Sequence, residues 1–110
     1  MHVLNRSDLT ATNFAHELVG DEHGGLGVSL ILVEAPPGRG PSLHTHPYTE
    51  VFVVHDGEGR FTAGDEERVV RGGEIVLVPA ETPHGFVNTG DSPLRMTNIH
   101  LNSHFVTEWL

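Results

Sequence analysis

Gly38 to Gly57 reads GRGPSLHTHPYTEVFVVHDG, and its second half decides the fold class. Val51, Phe52, Val53 and Val54 follow Glu50 without a break, and Asp56-Gly57 supplies a turn. A β-branched and aromatic run that is apolar on both alternating faces suits a strand buried between a barrel interior and an outer packing layer. If Glu50 points inward, Phe52 and Val54 do so too, while Val51, Val53 and His55 face the other way. The first half carries chemistry. His44 and His46 stand two residues apart, so on an extended backbone they project to one side, roughly 6 to 7 Å from each other. Pro47 cannot continue a central ladder, so the chain is expected to turn across Pro47 and Tyr48 and to bring Glu50 back toward the two imidazoles.

Outward from this stretch the period is two nearly everywhere. Short runs rich in β-branched residues recur at Phe14 to Val19, Val28 to Glu34, Glu50 to His55, Arg60 to Ala63, Glu67 to Arg71, Ile75 to Val78, His84 to Asn88 and Leu94 to Leu101. Between them lie EAPPGRGP, HDGEG, AGDEE, RGGE, PAETP and TGDSP, where most of the 13 glycines and 7 prolines fall. The pattern predicts an all-β domain, a sandwich or a closed barrel, the latter also disposing of unpaired edges. The one expected helix is a short C-terminal one over His104 to Leu110, capped by Ser103. There is no internal repeat or linker, and 110 residues fit a single domain, 1–110.

Composition removes several functions. Six basic residues stand against 15 acidic ones, a balance that disfavours nucleic acid or an anionic membrane surface as partner. A small molecule or another protein is expected instead. All six basic residues are arginine and there is no cysteine, which excludes a lysine Schiff base, a thiol nucleophile and a thiolate metal site. The N-terminus lacks a basic segment followed by an apolar run, and no apolar stretch has the length of a membrane span, so the expected location is cytoplasmic. Phosphate loops, dinucleotide fingerprints and nucleophile elbows are absent.

His84, from a separate hairpin in PAETPHGFVN, joins His44, His46 and Glu50 as a fourth candidate ligand. Three imidazoles and one carboxylate suit a divalent transition metal, Fe, Mn, Ni, Co, Cu or Zn, and ligand type alone does not choose among them. The spacing extends further. Gly38, His44, His46, Glu50 and Gly57 form one pattern, and Gly73, Pro79, His84 and Asn88 a second. Together they resemble the two motifs of the cupin superfamily, in its small single-domain, conserved-barrel form, with Glu81 standing where the family usually has glycine. The resemblance implies a six-to-eight-stranded jelly-roll barrel holding a metal through His44, His46, Glu50 and His84. Four protein ligands on an ion that prefers six leave two positions for water, substrate or dioxygen.

Leu94 to Asn102 alternates Met96, Asn98, His100 and Asn102 against Thr97, Ile99 and Leu101. With the polar face inward, His100 becomes a candidate catalytic residue as general acid or base, or as a partner that orients substrate. Tyr48 would place a phenol at the pocket mouth, and Phe52, Phe86 and Met96 an apolar wall. The expected function is a metal-dependent oxygenase of the dioxygenase kind, on an enolisable or phenolic small molecule. A metal-dependent isomerase or lyase and a non-catalytic ligand-binding module are the alternatives, because fold alone does not select among them. A β-barrel this small is expected to pair into a homodimer, with Phe105, Trp109, Leu110 or the strand near Phe14 as contacts.

Overall fold

In the computed structural model, which describes residues 1–110, strands start and stop where turn residues interrupt the period-two pattern. They are β1 Thr10–Ala11, β2 Ala15–Leu18, β3 Ser29–Ala35, β4 His44–Thr45, β5 Glu50–Asp56, β6 Glu58–Ala63, β7 Glu66–Arg71, β8 Ile75–Val78, β9 His84–Asn88, β10 Leu94–His100 and β11 Glu108–Trp109. All eight runs expected from the sequence form strands, two of them, Ile75–Val78 and His84–Asn88, with the same limits. The total exceeds the six to eight expected because β1, β4 and β11, two residues each, exist only through their pairing partners.

The C-terminal helix does not form. Phe105 to Thr107 form no helix, and Glu108–Trp109 adds β11 to the edge of β4, with Trp109 opposite His44. Seven residues are too few for a stable helix in water, and the β-branched pair Val106-Thr107 favours extension. The exposed ladder of β4 offers those residues hydrogen bonds that a short helix would lack.

Two antiparallel sheets result, ordered β1-β2-β3-β10-β5-β8 and β11-β4-β9-β6-β7. Distant segments become neighbours, as a jelly roll requires: β10 lies between β3 and β5, and β9 between β4 and β6. The alternation seen in the sequence decides which side chains meet between the sheets. Glu50, Phe52 and Val54 of β5 are buried, as are Leu94, Met96, Asn98 and His100 of β10, so the polar face of β10 is the inner one. At one end Phe52 meets Phe61 edge-on across the two sheets, ring centroids 5.5 Å apart, and Phe61 stacks on Phe86 at 5.3 Å. Burying each such ring stabilises the fold by about 2–3 kcal/mol. At the other end the inner face changes from apolar to imidazole and carboxylate.

The outer face of the six-stranded sheet is also apolar. Cross-strand register aligns Leu18, Leu30, Ile99, Val51 and Leu77 in one row. His16, Leu32, Thr97, Val53 and Ile75 form the next. At the edge strand β8, Ile75 and Leu77 are 61% and 67% exposed, so this layer is open to solvent. No helix is long and apolar enough to cross a membrane.

Candidate metal centre

Strand register explains why four residues from three stretches of sequence meet. His44 on β4 is the direct cross-strand partner of His84 on β9, both in the smaller sheet. Glu50 on β5 is the direct partner of His100 on β10, in the larger sheet. His46, one residue beyond β4 rather than within it, fills the gap between the pairs. The candidate ligand atoms of His44, His46, Glu50 and His84 all lie within 4.8 Å of one another, and all four residues are buried.

The tautomers are set by backbone carbonyls. His44 Nδ1–H donates to Ser42 O at 2.7 Å, His84 Nδ1–H to Thr82 O at 2.8 Å and His46 Nδ1–H to Val106 O at 2.8 Å. A carbonyl only accepts, so each Nδ1 must carry a proton, and in the neutral ring Nε2 is then a bare lone pair. Those lone pairs face a carboxylate: Glu50 Oε1 lies 3.0 Å from His46 Nε2 and 3.1 Å from His84 Nε2. Acceptor against acceptor at that distance requires a cation between them, either a proton on the ring or a metal ion shared by all. His46 Nε2 is near the carboxylate but poorly aligned with it, which leaves it without a directed hydrogen bond. The donor set, its burial and its tautomers fit a divalent transition metal.

Electrostatics follow from the same contacts. Burial alone would push the Glu50 carboxyl up, but the close imidazoles of His100, His46 and His84, with the charge of His100, hold it below the usual carboxylate range. Burial pushes His44 down, more than its bond to Ser42 pulls it up. For His46 the balance is reversed: burial opposes protonation, yet the contacts with Glu50 and Val106 O raise it.

Behind the cluster runs a second chain of polar groups. His100 is 2% exposed, with Nε2 3.1 Å from Glu50 Oε2 and Nδ1 2.7 Å from Tyr48 Oη. His100 Nε2 is close to Glu50 but off the line of a good hydrogen bond, so the contact is more electrostatic than directional. Val106 N–H donates to Tyr48 Oη at 3.2 Å, which orients the phenol O–H toward His100. The Tyr48 ring stacks on His46, 11° from parallel at 5.1 Å. Its hydroxyl is pushed up by burial and by Glu50, against the Val106 bond.

The second motif has two further members. Asn88 does not face the cluster; its amide donates to Ala35 O and Ser92 O at 2.9 and 2.8 Å and accepts from Gly90 N–H at 2.8 Å. It clasps the end of β3 to the turn between β9 and β10. Glu81 has φ 62°, the single non-glycine residue in the left-handed region, and its N–H donates to His46 O at 2.8 Å. A glutamate at a usual glycine position therefore strains the local backbone, while His44, His46, Glu50 and His84 still converge.

A cavity of about 430 Å³ opens onto the cluster, lined by His44, His46, Glu50 and His100, by five of the seven aromatic residues, and by Glu17, Arg39 and Asn98 among others. Sequence reasoning missed Glu17, whose alternation with buried Ala15 on β2 was the available signal. It also missed the tail, where Val106 holds His46 and Tyr48, and where Phe105 and Trp109 pack against His100 and His44 at 4.9 and 4.8 Å.

Residues 31–100 match the family model described as a cupin domain. Among curated proteins, the chain is 36% identical over 74 residues to the uncharacterized protein MJ1618 of Methanocaldococcus jannaschii, covering 64% of this chain and 58% of that one. It is 33% identical over 85 residues to polyketide synthase CurC of Streptomyces cyaneus, covering 76% and 52%. A solved structure of oxalate oxidase superposes with a TM-score of 0.77 at 27% identity, over 87% of this chain and 54% of that one. The chain thus spans about half the length of the relatives it matches.

Proposed function

The chain belongs to the cupin family, and from that premise we propose that it is a metal-dependent enzyme, of the oxygenase kind, acting on a small organic molecule in its barrel. The observation that carries this is the convergence of imidazole Nε2 atoms, each fixed as a lone pair by a carbonyl behind it, upon one buried carboxylate. His44, His46, Glu50 and His84 would hold a divalent transition metal. When bound, the ion would supply Lewis acidity and, if redox-active, electrons for dioxygen chemistry, with coordination positions to spare.

The remaining groups act around it. His100 and Tyr48 are the proposed catalytic pair: a proton can be held on the Tyr48 phenol or on His100, and Val106 N–H keeps the phenol aimed at the ring. Phe52, Phe86 and Phe105 keep water from the inner part of the cavity. The oxalate oxidase likeness supports oxygen chemistry of some kind, while its substrate belongs to that protein. A second reading, isomerase or lyase chemistry without oxygen, is favoured by the Tyr48–His100–Glu50 chain, which is suited to moving protons, and by the polyketide synthase relative.

We also propose a homodimer. Phe105 and Phe14 are occupied internally, by His100 and by the Arg39 guanidinium over the Phe14 ring. The apolar outer rows of the larger sheet, from Leu18 to Leu77, support a face-to-face pairing better.

Anaerobic purification with elemental analysis, then oxygen uptake on catechols, flavonols and diketones, tests the oxygenase. A redox metal and substrate-dependent uptake are expected. Turnover without oxygen and with zinc would establish the second reading instead, and absence of any transition metal under all conditions would refute both.

A further inference from the structure

The inner wall of the cavity carries two polar groups that neither the cluster nor the fold uses. Asn98 is 4% exposed, and its side-chain oxygen is buried with no hydrogen-bond partner. A buried carbonyl oxygen without a protein partner is a place where a bound donor gains about 1–3 kcal/mol. Glu17 lies in the same cross-strand row: β2 pairs Glu17 with Ile31, β3 pairs Ile31 with Asn98, and β10 pairs Asn98 with Phe52. Cross-strand partners share a face, so the row Glu17, Ile31, Asn98, Phe52 runs across the inner wall. His100 follows Asn98 by two residues on the same face, one step nearer Glu50.

The rest of the lining is aromatic. Phe14, Phe52, Phe86, Phe105 and Trp109 surround a space of about 430 Å³, within the range that takes ring-bearing ligands. A two-carbon dianion would leave most of that space empty and would share the cavity with the Glu17 carboxylate. Arg39 is the single cation of the lining, and it is exposed and engaged over Phe14.

We infer that Asn98 and Glu17 are specificity-determining residues that read hydroxyl groups on a neutral aromatic ligand, held between the phenyl walls with one edge toward the metal cluster. An amide both donates and accepts, and so satisfies a hydroxyl of either orientation. The Glu17 carboxylate, half-buried at the far end of the row, adds an acceptor and a negative charge. The pair selects against dianions by charge and for phenols by hydrogen bonding. This inference rests on the proposed enzymatic reading for the role of the cavity, not for the recognition itself.

The test is equilibrium binding of catechol and of oxalate to the purified full chain, followed by quenching of Trp109, the one tryptophan, which lines the cavity. Metal content is measured on the same samples. Catechol is expected to bind at least tenfold more tightly than oxalate. Asn98→Leu should weaken catechol about tenfold, the loss of one buried hydrogen bond, with metal content unchanged. Glu17→Gln, a half-buried and well-tolerated change, keeps an acceptor: catechol should stay within about threefold while oxalate tightens several-fold. Preference for oxalate in the wild type, or catechol affinity indifferent to Asn98, overturns the inference. Asn98-dependent catechol binding by a chain that holds no transition metal would uphold it while refuting the metal-dependent enzyme.

Discussion

Replacing Glu81 by glycine should stabilise this protein, although it deletes a side chain and adds nothing. Glu81 sits at φ 62°, where an L-residue with a Cβ is penalised by about 1–2 kcal/mol relative to glycine. Its side chain is exposed and makes no hydrogen bond, while its N–H holds His46 O at 2.8 Å, so the strained backbone cannot relax without losing a tie to the candidate centre. Glycine removes the steric penalty but gives the unfolded chain more freedom, a cost of about 0.4–1 kcal/mol. The net gain is about 0.5–1 kcal/mol, or about 2–4 °C in Tm for a domain of this size. Thermal denaturation of Glu81→Gly and Glu81→Ala against wild type separates backbone from side chain. Alanine keeps the Cβ and should leave Tm within about 1 °C, since the glutamate side chain beyond it does little. A Tm that falls with glycine, or that rises equally with alanine, would refute the account, because then the side chain rather than φ sets the energy.

Other consequences are open to measurement. Asn88→Ala strips two carbonyls and one N–H of their partner and should cost about 2–4 kcal/mol of stability in denaturant titration, with little effect on metal stoichiometry in the folded protein. Tyr48→Phe keeps the ring stacked on His46 but frees His100 Nδ1 and Val106 N–H; turnover should fall 10- to 100-fold while metal content holds. Val51→Glu, at the centre of the apolar outer face, should turn a dimer into a monomer by light scattering at micromolar concentration, and a wild-type monomer there would remove the dimer proposal. Metal retention should fall with pH, because protons compete for the imidazoles. His46, whose protonation is favoured by Glu50 and Val106 O, should begin to lose its share above the ordinary histidine value of about 6.5, whereas His44, pushed down by burial, should resist to lower pH. Dialysis across pH 8 to 5 with elemental analysis reads the onset, and full retention down to pH 5 would contradict it.

Long runs with a strict alternation were legible in the sequence because burial on one face imposes the period directly. Glu50, Phe52 and Val54 face in for that reason, and β9 carries the limits expected of it. The four candidate ligand positions follow a spacing visible in the sequence, and register explains their convergence: His44 opposite His84, Glu50 opposite His100. What stayed hidden depends on long-range partners. β11 has no pattern of its own and exists because the edge of β4 accepts it, and the same pairing carries Val106 to His46 and Tyr48. Glu17 looked like one acid among 15, and only its place in the Ile31–Asn98 row separates it from the solvated ones.

The candidate ligand set straddles the interior, with His44 and His84 on one sheet and Glu50 on the other. An ion held there would rivet the two halves of the barrel, and parting the halves would pull its candidate ligands away from one another. The rate at which a strong chelator strips the metal would then be a clock for the breathing of the barrel, slow where the Phe52, Phe61 and Phe86 cluster keeps the sheets closed. Loosening that cluster at a distance, by Phe61→Leu for instance, should quicken metal loss without touching a single ligand.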